Sequence, residues 1–103
     1  MAALKYWVWL TALPGLSNRS RLLLLERYGS PEDVYYADPE EVLLTEGITR
    51  AQAALVKNKD LSAADRILAE CQRLDLRILT LQDAAYPGRL KNIYDPPCLL
   101  YVR

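Results

Sequence analysis

The residues that could do chemistry in this 103-residue chain lie in the run Pro14-Gly15-Leu16-Ser17-Asn18-Arg19-Ser20-Arg21. A proline-glycine turn that opens a helix leaves backbone N–H groups without intrahelical partners, and the helix start carries a partial positive charge. Together these features form an anion site suited to phosphate. Arg19 and Arg21 add formal charge beside it. The turn offers nothing that reads base edges. The chemistry implied is therefore a sequence-independent grip on a nucleic-acid backbone through Pro14, Gly15, Leu16, Ser17, Asn18, Arg19 and Arg21.

The same device returns 32 residues later in Glu46-Gly47-Ile48-Thr49-Arg50-Ala51-Gln52. Gly15 aligns with Gly47, Leu16 with Ile48, Ser17 with Thr49 and Leu23 with Leu55. We read the pair as two helix-hairpin-helix units. Gly47, Thr49 and Arg50 are the equivalent backbone contacts in the second unit. Glu46 and the acidic stretch before it repel phosphate, so the default role of that unit is core packing or a partner surface.

The charges in the first helical turns sharpen the contrast. Glu32, Asp33, Glu40 and Glu41 obey the helix dipole, whereas Arg19, Arg21 and Arg50 oppose it. A cation there costs about 0.3–1 kcal/mol unless something offsets it, and a bound phosphate would do so. The alternative is structural: arginine is a good helix former, and a tandem hairpin can simply pack short helices.

These turns must be held by helices that the sequence marks clearly. Leu4, Trp7, Val8 and Leu10 predict a first helix to Leu13, stopped by Pro14-Gly15, with both tryptophans assigned to the core. A second runs from Ser17 or Asn18 to Tyr28-Gly29; Leu22 to Leu25 cover its circumference, which makes it the expected central strut. Ser30-Pro31-Glu32-Asp33 and Asp38-Pro39-Glu40-Glu41 each read as cap, proline and acidic first turn, for short helices to Ala37 and Leu44. Thr49 and Gln52 have the form of a capping box for a fifth helix to about Lys57. Asp60 or Ser62 caps a sixth, with an apolar stripe of Ile67, Leu68, Cys71 and Leu74.

After Asp75 the pattern changes. Arg77 to Leu81 and Cys98 to Val102 are β-rich runs, separated by a turn region with about one helical turn. The expected fold is mainly α: a SAM-like, tandem helix-hairpin-helix bundle of about six short helices over residues 1–76. Two short strands over 77–103 then begin a Rossmann-like domain that continues beyond Arg103.

Bulk composition bounds the function. The 51% apolar content suffices for one core, and the 13 basic and 13 acidic residues cancel, which argues against global electrostatic attraction to nucleic acid or membrane. Local charge is uneven: Lys5, Arg19, Arg21 and Arg27 face only Glu26 in residues 1–29, while residues 30–48 hold six acids and no base. Cys71 and Cys98 lack metal-ligand spacing and histidine is absent, so neither a zinc site, a cofactor nor a disulfide framework is indicated. No phosphate-binding loop of the GxxxxGKS type or acid–base pair suggests an enzyme. The apolar run Trp7 to Leu10 is too short for a membrane span, and a reduced cytoplasm fits.

The chain resembles the N-terminal part of the DprA/Smf family of bacterial DNA-processing proteins. The resemblance rests on Tyr6-Trp7-Val8-Trp9-Leu10 before Leu13-Pro14-Gly15-Leu16, and on Leu24-Leu25-Glu26-Arg27-Tyr28-Gly29-Ser30-Pro31-Glu32. It continues in Arg77-Ile78-Leu79-Thr80-Leu81 before Tyr86-Pro87, and in Asp95-Pro96-Pro97 before Leu100-Tyr101-Val102-Arg103. It implies a helical domain preceding a Rossmann-like domain, in a protein that binds incoming single-stranded DNA and helps load RecA during natural transformation (competence) and recombination. The main DNA groove, the homodimer surface and the RecA contact would lie in the Rossmann-like domain. Its glycine- and arginine-rich phosphate motif is absent here, so no groove residue carries over. Ser17 and Thr49 stand where many hairpins have a second glycine, and their side chains partly fill the phosphate's space. The competing reading is a protein-interaction module using the acidic surface of Glu32, Asp33, Glu40, Glu41 and Glu46.

Overall fold

The computed structural model describes residues 2–102, with side chains from residue 4 onward. In chain order the elements are α1 (Ala2–Ala12), α2 (Asn18–Tyr28), α3 (Pro31–Tyr36), α4 (Pro39–Leu43), α5 (Arg50–Leu55), α6 (Ser62–Arg73), β1 (Arg77–Thr80), α7 (Gly88–Lys91) and β2 (Leu99–Val102). The fold is mainly helical with one two-stranded antiparallel sheet.

Helix starts follow the cap chemistry. The hydroxyls of Ser17 and Ser30 and the carboxylate of Asp38 accept N–H groups from Ser20, Asp33 and Glu40 at the starts of α2, α3 and α4. Pro31 and Pro39 occupy first-turn positions where no N–H is needed. At α6 the work falls to Asp60, whose Oδ1 accepts both the amide (2.9 Å) and the hydroxyl (2.6 Å) of Ser62. Leu74 lies too near the helix end to join the apolar stripe and is exposed; Ala64 and Cys71 form its buried part.

The hub of the core is α1 rather than α2. Tyr6, Trp7, Val8, Trp9 and Leu10 are all buried in succession, and α1 packs against α2, α3, α6 and β2. A run of five buried residues covers every side of a helix, so α1 is enclosed. In α2, Leu24 and Leu25 are buried, but Leu22 and Leu23 are only half-buried and Arg19, Glu26 and Arg27 face solvent. The tryptophans are core residues with anchored polar edges. Trp9 Nε1 donates to the Asn58 carbonyl at 2.8 Å, while Tyr35 packs edge-on against Trp9 and donates to the Lys59 carbonyl at 2.7 Å.

β1 and β2 pair with Arg77 opposite Val102 and Thr80 opposite Leu99, and the Leu81 N–H to Cys98 carbonyl bond extends the ladder. The connection between them contains only the four-residue α7, and an antiparallel pair needs no crossover helix. Cys98 and Leu99 are buried in the same core as Leu10, Leu24 and Val34. The strand segment is thus packed onto the helices through shared apolar contacts. Complete burial of side chains such as Leu10 or Leu24 contributes roughly 1.5–3 kcal/mol each.

Candidate nucleic-acid interface

The two glycine turns share one hydrogen-bond pattern at the 32-residue offset. Leu16 N–H donates to the Leu13 carbonyl (3.4 Å) as Ile48 N–H does to that of Thr45 (3.1 Å). Ser20 N–H donates to Ser17 Oγ, and Gln52 N–H to Thr49 Oγ1, both at 3.1 Å. Gly15 and Gly47 have φ of +84° and +88°, a region that glycine enters without a Cβ penalty.

Packing sets the equivalent leucines against the two turns, and at Gly47 it adds a second reason for glycine. A Cβ on Gly15 would sit 3.4 Å from Leu55 Cδ1; one on Gly47 would sit 2.9 Å from Leu23 Cδ1. Leu23 and Leu55 are themselves equivalent under the 32-residue shift. Each turn therefore seats the helix of the other unit, which makes the repeat a pair of interlocking halves.

Gln52 stitches the halves together. Its backbone N–H meets Thr49 as a capping box requires, but its side chain does not return to the Thr49 amide. It crosses to the first turn, where Oε1 accepts from Ser17 N–H (2.9 Å) and Nε2 donates to the Gly15 carbonyl (3.0 Å). Ser17 N–H, one of the amides expected to meet phosphate, is thereby occupied. The amides of Asn18 and Arg19 remain without a hydrogen bond among the described residues.

The arginines divide by role. Arg21 turns inward: Nε donates to the Leu10 carbonyl (3.1 Å) and Nη2 to that of Thr11 (2.8 Å). Its guanidinium thus caps the C-terminal end of α1, where a cation is favoured, so this arginine needs no external phosphate to explain it. Burial holds its pKa below the ordinary arginine value. Arg27 does the same for the end of α4, donating to the Glu41 carbonyl and, at 2.7 Å, to Thr45 Oγ1. Arg19 is exposed, with its guanidinium 5.6 Å from the centre of the Tyr94 ring. Arg50 is exposed beside a shallow groove between α4 and α5 that also holds Glu40 and Lys57.

The 94–98 segment reaches the first turn. Asn18 Nδ2 donates to Asp95 Oδ1 and to the Pro96 carbonyl, both at 2.9 Å, and the Cys98 thiol lies 3.6 Å from Asn18 Oδ1. Tyr86 donates its hydroxyl to the Pro97 carbonyl at 2.7 Å. Burial pushes the Cys98 thiol up to about 11. None of these latches was visible in the spacing: Asp95-Pro96-Pro97 reads only as an entry to a strand.

Of the sequence-selected residues, Pro14, Gly15, Ser17 and Arg19 lie exposed together, Asn18 is half-buried beneath Asp95, and Leu16 is buried. Gly47 and Arg19 line one groove of about 650 Å³, along with Glu26 and Glu46. Thr49 and Arg50 lie exposed beyond it. Among the described residues the one ion pair is Arg73–Glu70, so neither acid pairs with Arg19. No three histidine, cysteine or carboxylate side chains gather to hold a metal among the described residues, and no helix there is long and apolar enough to cross a membrane. Compared with protein-family models, with curated proteins and with solved structures, the chain has no match in any of the three.

Proposed function

We propose that this chain is the helical platform of a DNA-processing protein of the DprA/Smf kind, a SAM-like tandem helix-hairpin-helix bundle that mounts a Rossmann-like domain. The first turn adds a weak, sequence-independent contact to nucleic-acid backbone through Arg19 and the amides of Asn18 and Arg19. In the whole cytoplasmic protein, single-stranded DNA binding, dimerisation and assistance to RecA belong to the mounted domain. The observation that carries this reading is the Asn18 latch. It ties the candidate phosphate turn to Asp95 and Pro96, two of the residues on which the family resemblance rests. Tyr86, from the Tyr-Pro segment, joins the same unit by bonding Pro97.

With Arg21 engaged inside the fold, the grip is reduced to one or two phosphates. Titration of labelled oligonucleotides at several salt concentrations should give a log–log slope of about −1 to −2 on duplex. Binding that ignores salt, or that persists unchanged in Arg19→Glu, would remove the backbone contact from the account.

A second reading is a platform without any nucleic-acid contact of its own. It is favoured by the Asp95 carboxylate beside the start of α2, which competes with an incoming phosphate. The exposed acids Glu32, Asp33, Glu40, Glu41 and Glu46 would then be the partner surface. The same titration decides: no binding at low salt selects this reading.

A further inference from the structure

The segment leading into the Asn18 latch is locally basic between its flanking acids Asp83 and Asp95. From Ala84 to Tyr94 it contains Arg89 and Lys91 and no acidic residue, and both cations are exposed. It ends in Ile93, about half exposed, and Tyr94, which is 84% exposed. A large aromatic so open to water gives up most of the burial energy available to it, roughly 1.5–3 kcal/mol for a comparable core residue. Its setting is nevertheless built. The next two residues are bonded to Asn18, Tyr86 bonds Pro97, and the Arg19 guanidinium sits over the Tyr94 ring at 5.6 Å. Among the described residues neither Arg19, Arg89 nor Lys91 is engaged in an ion pair.

We infer that Tyr94, backed by Arg19, is a stacking platform for an unpaired base, with Arg89 and Lys91 supplying charge for the adjoining phosphates. The inference rests on the nucleic-acid reading above and deepens it by giving the surface a preference for single strands. An aromatic face accepts any base, because every base has a π-face, and a guanidinium completes the stack by a cation–π contact. Bases in a duplex are already stacked and cannot reach Tyr94, so the preference is for single-stranded over double-stranded nucleic acid without sequence choice. Asp95 stays charged while its Oδ1 accepts from Asn18, so it weakens the phosphate contacts and not the stacking of an uncharged base.

The test compares three probes on the full chain: an oligothymidine of about 12 nucleotides, a site size typical of such surfaces, an abasic strand of equal length, and a duplex. The oligothymidine should bind about five- to tenfold more tightly than the abasic strand, the effect of one stacked base. Tyr94→Ala should abolish that ratio, while Tyr94→Phe and Tyr94→Trp keep it. The side chain is exposed, so the circular dichroism of these variants should match the parent. If the abasic strand binds as well as oligothymidine, with salt-dependent affinity, stacking falls and the backbone contact stands. If Tyr94→Ala weakens both strands equally, the tyrosine acts through loop structure and stacking again falls. Absence of binding to all three probes overturns both ideas.

Discussion

The turns at Gly15 and Gly47 are built alike and situated differently. Both carry a positive-φ glycine, a hydroxyl cap and an apolar residue buried behind it, and each glycine seats the equivalent leucine of the other unit. Free first-turn amides do not separate them either, since neither Asn18 and Arg19 nor Arg50 and Ala51 bond their N–H groups among the described residues. What separates them is their surroundings. The first turn precedes an 11-residue helix and carries Arg19 with Tyr94 beside it; the second follows Glu46 and opens a six-residue helix next to Glu40. A repeated backbone device therefore reports on packing, and only the side chains around it report on ligand.

The largest expected effect probes the packing half of that comparison. Gly47→Ala should cost about 1.5–2.5 kcal/mol in urea unfolding, mostly left-handed strain, with a smaller part for turning the Leu23 side chain away from its 2.9 Å approach. Gly15→Ala, at 3.4 Å from Leu55, should cost about 1–2 kcal/mol, close to the strain alone. Pairing each with Leu23→Ala or Leu55→Ala should shrink the difference between the turns. Equal costs in both backgrounds would break the interlock.

Next comes the division between the arginines. Arg21→Met should lose about 1–3 kcal/mol of stability through the two uncapped α1 carbonyls, whereas Arg19→Met should stay within about 0.5 kcal/mol. Similar losses at both positions would erase the distinction between an internal cap and a free cation. Gln52→Ala should cost about 0.5–1 kcal/mol, since its bonds to Gly15 and Ser17 are solvent-exposed; amide exchange should quicken at Ser17.

The smallest effect at neutral pH is titration of Cys98 beneath Asn18. Burial raises the thiol from its ordinary value of 9 to about 11, so the folded state holds the proton longer than the unfolded one. Its contribution is complete below pH 9 and is lost as pH rises toward 11. Cys98→Ala should flatten the decline over that window; an unchanged profile would show that the thiol is not responsible.

Much of this was legible in local chemistry. Ser17, Ser30, Asp38 and Thr49 act on amides two or three residues ahead, so their caps were readable from spacing alone. The turn glycines were equally plain. What escaped depends on partners far along the chain: Arg21 on α1, Gln52 across 35 residues to Ser17, and Asn18 across 77 to Asp95. Arg21 is instructive. Its position against its own helix dipole looked like a vacancy for phosphate, but the opposing charge was the C-terminal end of another helix. Four consecutive leucines in α2 do not reveal the centrality of α1, because enclosure depends on what surrounds a helix.

We propose that the two turns are packing twins of which only the first meets nucleic acid. Backbone amide shifts followed by NMR during titration with a short single-stranded oligonucleotide test this most directly. Movement should centre on Gly15 to Arg19 and on Tyr94, with Gln52 following the Gly15 and Ser17 it bonds and the amides of Thr49, Arg50 and Ala51 still. Shifts centred on Gly47 to Gln52, or none around Gly15 to Arg19, would contradict it.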